Sequence, residues 1–249
     1  MADGFSGLTG FGHPVRAVVI GASGGIGSAV SRLLLDDPGV AEVLAFARRP
    51  VQPATSPKLR TGRMDFADED SIASAAEAAG TVDIVFVATG LLHGPGITPE
   101  KSWRSLDPAA LATLFQVNTI GPALVAKHFL PRLPRHGRSV FAAISAKVGS
   151  IGDNRLGGWY GYRAAKAALN QIIRTASIEL ARTRPDALCV ALHPGTVDTG
   201  LSKPFQAGVA EGRLFPPDVS AAHMLTVLNG LTPADSGGLF AWDGQRLPY

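Results

Sequence analysis

Val15-Arg-Ala-Val-Val-Ile20-Gly-Ala-Ser-Gly-Gly-Ile-Gly27 is the segment from which the rest of the chain is best read. An apolar, β-branched run, as suits a buried strand, passes straight into a glycine loop and then into a helical pattern at 26–35. Gly21 permits a tight turn, Gly25 lets backbone come close to a pyrophosphate, and Gly27 lets the helix pack on the strand. The helix N-terminus then presents free N–H groups and the positive end of its dipole to phosphate. The spacing is Gly-x-x-x-Gly-x-Gly, without the Gly-Lys-Ser/Thr of a nucleotide-hydrolysing loop.

Outward from this loop, apolar runs at 43–47, 60–65, 82–88, 139–144, 188–192 and 238–242 alternate with helical patterns at 68–79, 108–129, 160–182 and 219–228. Pro131 and Pro185 close the two long helices. Strands that are apolar on both faces and flanked by helices imply a parallel sheet covered on both sides. The expected fold is α/β: one Rossmann-like doubly wound domain over 1–249, with a parallel seven-stranded sheet and helices on both faces. Neither an internal repeat nor a Pro/Ser linker divides the chain.

Composition removes several alternatives. Hydrophobic residues at 46% against 17% charged exclude overall disorder, and 29 Gly with 18 Pro but no G-X-Y period exclude a collagen. The pI near 9.2 hints at nucleic acid. Yet 23 basic against 20 acidic residues leave only +3, and the longest basic run is Arg48-Arg49, so no nucleic-acid surface is expected. Cys189 is the single cysteine, which forbids an intramolecular disulfide and a cysteine metal cluster and suits a reducing compartment. No metal is expected. Without a continuous apolar run of about 18 residues no membrane span is expected. Residues 1–4 lack the start of a signal peptide, so a cytoplasmic location is the default.

The end of the second strand bears on the cofactor. A dinucleotide site that reads a ribose 2′-hydroxyl usually places Asp or Glu there. The sequence is Leu44-Ala-Phe-Ala-Arg-Arg49, and Glu42 lies at the other end of the strand. Arg48, with Arg49 beside it, suits a 2′-phosphate, so NADP(H) is favoured over NAD(H). Further on, Tyr162-Arg-Ala-Ala-Lys166 puts a phenol and an ammonium on one helical face. A cation about 5 Å from the phenol favours phenolate by ~3 kcal/mol at an effective dielectric near 20, or ~2 pKa units. A phenol tuned in this way passes protons to and from a carbonyl or alcohol oxygen. Tyr160 has Ala164 at the same spacing and fails that test.

In this order of motifs the chain resembles the short-chain dehydrogenase/reductase family from about Val15 to Trp242. The resemblance implies that the loop, through Gly21, Ser23, Gly25, Ile26 and Gly27, holds the cofactor, and that Asp65 contacts adenine. Ala88-Thr89-Gly90 stands where Asn-Ala-Gly is usual. Asn118 matches the asparagine of a proton relay, and Ser145, Tyr162 and Lys166 match the catalytic trio. Pro194-Gly195, Val197 and Thr199 match the segment at the nicotinamide. The family reaction is hydride transfer between nicotinamide and a carbonyl or alcohol substrate. Tyr162 then serves as acid or base, Lys166 lowers its pKa and binds the ribose, and Asn118 positions a water that links Lys166 to solvent. The long stretch between Ser145 and Tyr162, together with 239–249, resembles the C-factor-like or sniffer-like carbonyl reductase branch. A substrate lid is implied at about 200–217, and Leu91, Leu92, Val148, Ile151 and Trp159 are expected to line the substrate pocket. A homodimer or homotetramer through the helices at 108–130 and 160–182 is implied too. A cofactor-binding signalling or sensor protein with little turnover is the rival reading.

Overall fold

The computed structural model describes residues 5–51 and 56–249; residues 1–4, read above for a leader, lie outside it. Strand β1 (Val15–Ile20) leads through the glycine loop into α1 (Gly25–Asp36), then β2 (Val40–Ala47), β3 (Leu59–Arg63), α2 (Glu69–Ala79) and β4 (Ile84–Val87). Helix α3 (Pro108–Phe115) runs through a π turn (Gln116–Ile120) into α4 (Gly121–Phe129), followed by β5 (Ser139–Ile144), α5 (Tyr160–Ala181) and β6 (Ala187–His193). The chain closes with β7 (Thr196–Val197), β8 (Leu214–Phe215), α6 (Pro217–Gly230), β9 (Leu239–Ala241) and β10 (Arg246–Leu247).

The main sheet runs β10-β9-β6-β5-β4-β1-β2-β3, parallel except for the last pairing, in which β10 is antiparallel to β9. Eight strands therefore replace the expected seven. Gly244, at φ +84°, reverses the chain after β9, and the Ala241 N–H donates to the Gln245 carbonyl at 2.8 Å. A two-residue strand is too short to leave any periodicity in sequence. β7 and β8 form a separate two-stranded ribbon.

Both faces of the sheet are covered, and the strands alternate accordingly. Val18 and Ile20 of β1 enter the layer built with α2, α4 and α5, whereas Ala17 and Val19 enter the layer with α1 and α6. Cys189 is buried on the first face, where burial pushes its thiol up to about 12, so it behaves as inert core. The chain reverses direction across the sheet between β1 and β4, which are neighbours. A crevice opens at that switch point, at the carboxyl ends of the strands.

Local chemistry sets the helix ends. The Asp68 and Asp107 carboxylates cap α2 and α3 by accepting from the Ser71 N–H at 3.3 Å and the Ala110 N–H at 2.7 Å. The helix expected over 108–129 is not one regular α-helix. Pro122 has no N–H for the Asn118 carbonyl and crowds it, and the backbone widens there into the π turn. A 3₁₀ turn at Leu130–Arg132 carries the helical path through Pro131. Counted as one run, Pro108–Arg132 is long and apolar enough by composition to cross a membrane, with a window of mean hydropathy 1.4. Polar residues such as Gln116, Asn118 and Lys127 interrupt it, so it holds no continuous apolar run of that length. This same run carries Asn118, buried and lining neither cavity, up against Gly90.

Candidate active site

Two cavities share the wall Ala88-Thr89-Gly90 after β4. One, of about 470 Å³, is floored by Gly21, Ser23 and Gly24 and flanked by Arg48, Arg49 and Asp65. Gly21 sits at φ +84° and Gly24 caps α1 with no side-chain hydrogen bond, so among the described residues no side chain occupies the first N–H groups of α1. A Cβ on Gly27 would collide with the Gly21 carbonyl, as expected for close packing of helix on loop. Gly25 differs from expectation. A Cβ there would meet the Thr199 methyl at 2.7 Å and Pro217 at 3.6 Å, so this glycine is demanded by the segment after β6 crossing over the helix start. Gly25 and Gly27 line neither cavity.

Arg48 and Arg49 are exposed at the end of β2 and have no carboxylate partner among the described residues. Glu42 is spent at the opposite end, 2.7 Å from Arg16 and 2.6 Å from Arg60. Asp65 accepts from the Ala67 N–H at 3.1 Å and lies 3.3 Å from Arg63. Thr89, where alanine is usual in the family motif, has a buried hydroxyl with no hydrogen-bond partner. That orphaned donor, the side-chain-free helix start and the unpaired arginines fit a phosphorylated dinucleotide.

The second cavity, of about 630 Å³, is lined by Ser145, Tyr162 and Lys166, by Ile26, Thr89 and Gly90, and by Pro194, Gly195, Val197 and Thr199. Its apolar wall joins Leu92 and Tyr162 to Val148, Trp159, Leu201 and Phe205. Trp159 stands edge-on to Tyr162 at 6.4 Å and to Phe205 at 5.1 Å. Of the expected pocket residues, Leu91 faces the cofactor cavity, and Ile151 is 76% exposed and lines neither. The ribbon β7–β8 closes the segment 198–213, which supplies Leu201 and Phe205. Gly195, at φ +77°, is packed so closely by Phe215 and Trp242 that a Cβ would come within 2.7 Å of the first.

Ser145 leaves the end of β5 and donates to Asn170 Oδ1 at 2.6 Å. Lys166 donates to the Ile144 carbonyl at 2.8 Å, and its Nζ lies 5.8 Å from the centre of the Tyr162 ring. The expected lowering of the phenol pKa is not found. Burial dominates, pushing the Tyr162 phenol above its usual range and lowering Lys166 to about 7. Asn118 is buried with both ends of its amide engaged. It accepts from the Leu91 N–H at 3.1 Å and donates to the Leu91 and Leu114 carbonyls at 2.8 and 2.9 Å. A Cβ built on Gly90 would stand 3.7 Å from Asn118 Oδ1 and 3.9 Å from Lys166 Nζ, so the two converge on that glycine.

The buried Lys166 has a consequence for stability. Its folded pKa lies below the unfolded 10.5, so between about pH 7 and 10.5 the unfolded chain binds more protons. The penalty is complete below about 7 and is relieved as pH rises. The Tm of the cofactor-free protein should therefore climb by several degrees from pH 7 to 9. Lys166→Met should flatten that climb in thermal melts; an equal climb in both would contradict it.

Two site residues carry no sequence signal. Asn170, one turn beyond Lys166, fixes the Ser145 hydroxyl. Glu100, an isolated acid in a loop, is buried, and its carboxylate accepts from the Gly161 N–H at the start of α5 while its carbonyl accepts from Trp159 at 2.5 Å. It thereby holds Trp159 in the left-handed region, at φ 52°. The long segment after Ser145 is tied to the chain end by the Gly152 N–H donating to the Tyr249 carbonyl at 2.9 Å.

Comparison with known proteins agrees with this arrangement. The short chain dehydrogenase family model matches residues 16–210. C-signal of Myxococcus xanthus is 37% identical over 174 residues, covering 68% of this chain and 94% of that protein. The 1-hydroxy-2-glutathionyl-2-methyl-3-butene dehydrogenase of Rhodococcus sp. (strain AD45) is 30% identical over 236 residues, 93% of this chain and 98% of that one. An NADPH-bound carbonyl reductase from chicken fatty liver superposes with a TM-score of 0.82 at 25% identity, covering 98% of this chain and all of that one. With an eight-stranded doubly wound sheet, the glycine loop and the serine, tyrosine and lysine on one cavity wall, the chain belongs to the short-chain dehydrogenase/reductase family of oxidoreductases.

Proposed function

We propose that the chain is an NADPH-dependent oxidoreductase that interconverts a carbonyl compound and its alcohol in the 630 Å³ cavity. The observation that carries this reading is the meeting of Ser145, Tyr162 and Lys166 on a cavity that shares the Thr89–Gly90 wall with the glycine-loop cavity. Gly21, Ser23 and the α1 start would hold the pyrophosphate, Arg48 a 2′-phosphate, Asp65 the adenine, and Pro194–Thr199 the nicotinamide end. When bound, the nicotinamide supplies or accepts the hydride.

The chain's own work is to orient and to move a proton. In reduction, Tyr162 donates its phenolic proton to the substrate oxygen, and the Ser145 hydroxyl, held in place by Asn170 in the empty site, turns its one hydrogen from Asn170 Oδ1 to the same oxygen. Lys166 in its charged form stabilises the phenolate left behind. Pro122 deprives the Asn118 carbonyl of its helical donor, which suits that carbonyl to hold a water from which Lys166 and Tyr162 are reprotonated. The segment 200–217 acts as the lid that excludes bulk water, with Leu201, Ser202, Phe205 and Val209 lining the cavity. The same reading puts the protein in the cytoplasm, where NADPH is the reductant, as a dimer or tetramer through the helical runs at 108–130 and 160–182.

The likeness to C-signal favours one second reading, an NADP(H)-binding signalling protein with little turnover. A screen of aldehydes, ketones and quinones, with NADPH and NADH in parallel, separates the two. Oxidation of NADPH by a carbonyl substrate supports the enzyme; tight NADPH binding with no turnover across the panel selects the signalling protein. A narrower outcome concerns Asn170. Asn170→Ala should lower kcat/KM about tenfold by freeing Ser145, with the NADPH Kd preserved, as measured by steady-state kinetics and fluorescence titration. Full activity would remove Asn170 from the account.

A further inference from the structure

The mouth of the 630 Å³ cavity holds charge that the proposed chemistry does not use. Its interior is apolar and aromatic around Tyr162. On the side formed by the long segment after Ser145, the lining includes Lys147, Asp153, Arg155 and Arg163. Asp153 is the one acidic residue on the cavity wall among the described residues, and it is paired with Lys147 at 3.5 Å. Neither guanidinium has a carboxylate partner among the described residues. Arg163 is held rigidly, its Nε donating to the Gly158 carbonyl at 2.9 Å and its Nη1 to the Val148 carbonyl at 3.2 Å, which leaves Nη2 over. Arg155 lines the same cavity and is exposed, with no hydrogen bond or ion pair in the chain among the described residues.

A fixed guanidinium and a movable one, both uncompensated, at the open end of an apolar chamber make a receptor for an anion at the far end of an otherwise apolar molecule. Guanidinium forks match carboxylate geometry, and a group already fastened by the protein loses little freedom on binding. We infer that the substrate is an oxo acid, or the matching hydroxy acid, in which an apolar spacer separates the reacting carbonyl at Tyr162 from a carboxylate held by Arg163 and Arg155. Arg155 is the specificity-determining residue. The inference rests on the reductase reading for the carbonyl end alone; the anion end stands on the unpaired cations.

The test uses 4-formylbenzoate and 4-formylcinnamate, each against its methyl ester, which has the same carbonyl and spacer without the charge. Binding is measured by calorimetry on the full chain with NADP⁺ present, and turnover by NADPH oxidation, for the natural protein and for Arg155→Glu, Arg155→Ala and Arg155→Lys. At least one acid should bind about tenfold more tightly than its ester, in keeping with one partly exposed charge-assisted contact. That ratio should shrink at high salt. It should shrink in Arg155→Ala, which keeps Arg163, vanish in Arg155→Glu and return in Arg155→Lys. No preference in either pair, or a preference that Arg155→Glu leaves in place, overturns the inference, as does binding of none of the four compounds. An acid preference that depends on Arg155 without turnover supports this inference and rejects the reductase reading. Turnover with no acid preference does the reverse.

Discussion

Replacing Tyr162 with phenylalanine is expected to lower kcat by about a thousandfold and to leave the NADPH Kd within about twofold of the natural protein. The ring sits in an apolar wall with Leu92, Ala146, Trp159 and Phe205. Its hydroxyl has no hydrogen-bond partner among the described residues, so removing it costs little packing and leaves no buried donor stranded. What is lost is the proton source for the substrate oxygen. Burial holds the phenol protonated, which suits donation in reduction; the reverse reaction needs the phenolate, which a charged Lys166 stabilises without itself accepting the proton. Oxidation of an alcohol should therefore rise more steeply with pH than reduction does. Turnover in Tyr162→Phe within tenfold of the natural rate would place the proton donor elsewhere.

Arg48→Ala, and more so the double replacement with Arg49→Ala, is expected to weaken NADPH about 10- to 100-fold and NADH less than about twofold. This is the effect of losing one or two charge-assisted bonds to a phosphate. Both side chains line the cofactor cavity at the end of β2, exposed and free of carboxylates among the described residues. Their removal breaks no packing, so a fall in Tm cannot imitate the result. Equal losses for both cofactors, read by fluorescence titration, would show that the arginines do not distinguish the 2′-phosphate.

The parts of this molecule that could be read from its sequence are those in which one residue type has one physical role. The apolar runs of β1, β4, β5 and β6 announce strands buried on both faces, and Gly21 and Gly27 announce a turn and a close approach. Tyr162 and Lys166 share a helical face because four residues make about one turn. What escaped reading depends on contacts between distant segments. Asn170 acts on Ser145, 25 residues away, and Glu100 acts on Gly161, 61 residues away; neither leaves a local pattern. Gly25 serves the crossing of Thr199, a tertiary contact that the loop spacing does not encode. Coulomb attraction between Tyr162 and Lys166 taken alone lowers the phenol pKa, but burial acts on both partners and reverses the direction. The π turn at Asn118 was signalled by Pro122, yet apolar periodicity carried the helix through it.

Hydride transfer from NADPH to a carbonyl carbon in the Tyr162 cavity is the central claim. It is tested most directly by incubating the protein with an aldehyde and NADPH carrying deuterium at nicotinamide C4, each C4 position in turn, and analysing the alcohol by mass spectrometry and NMR. The account predicts one deuterium at the carbinol carbon from one of the two labelled cofactors, one NADP⁺ formed per alcohol, and loss of both products in Tyr162→Phe. Alcohol without deuterium from either label, or NADPH bound tightly and recovered intact with every carbonyl tried, would contradict it.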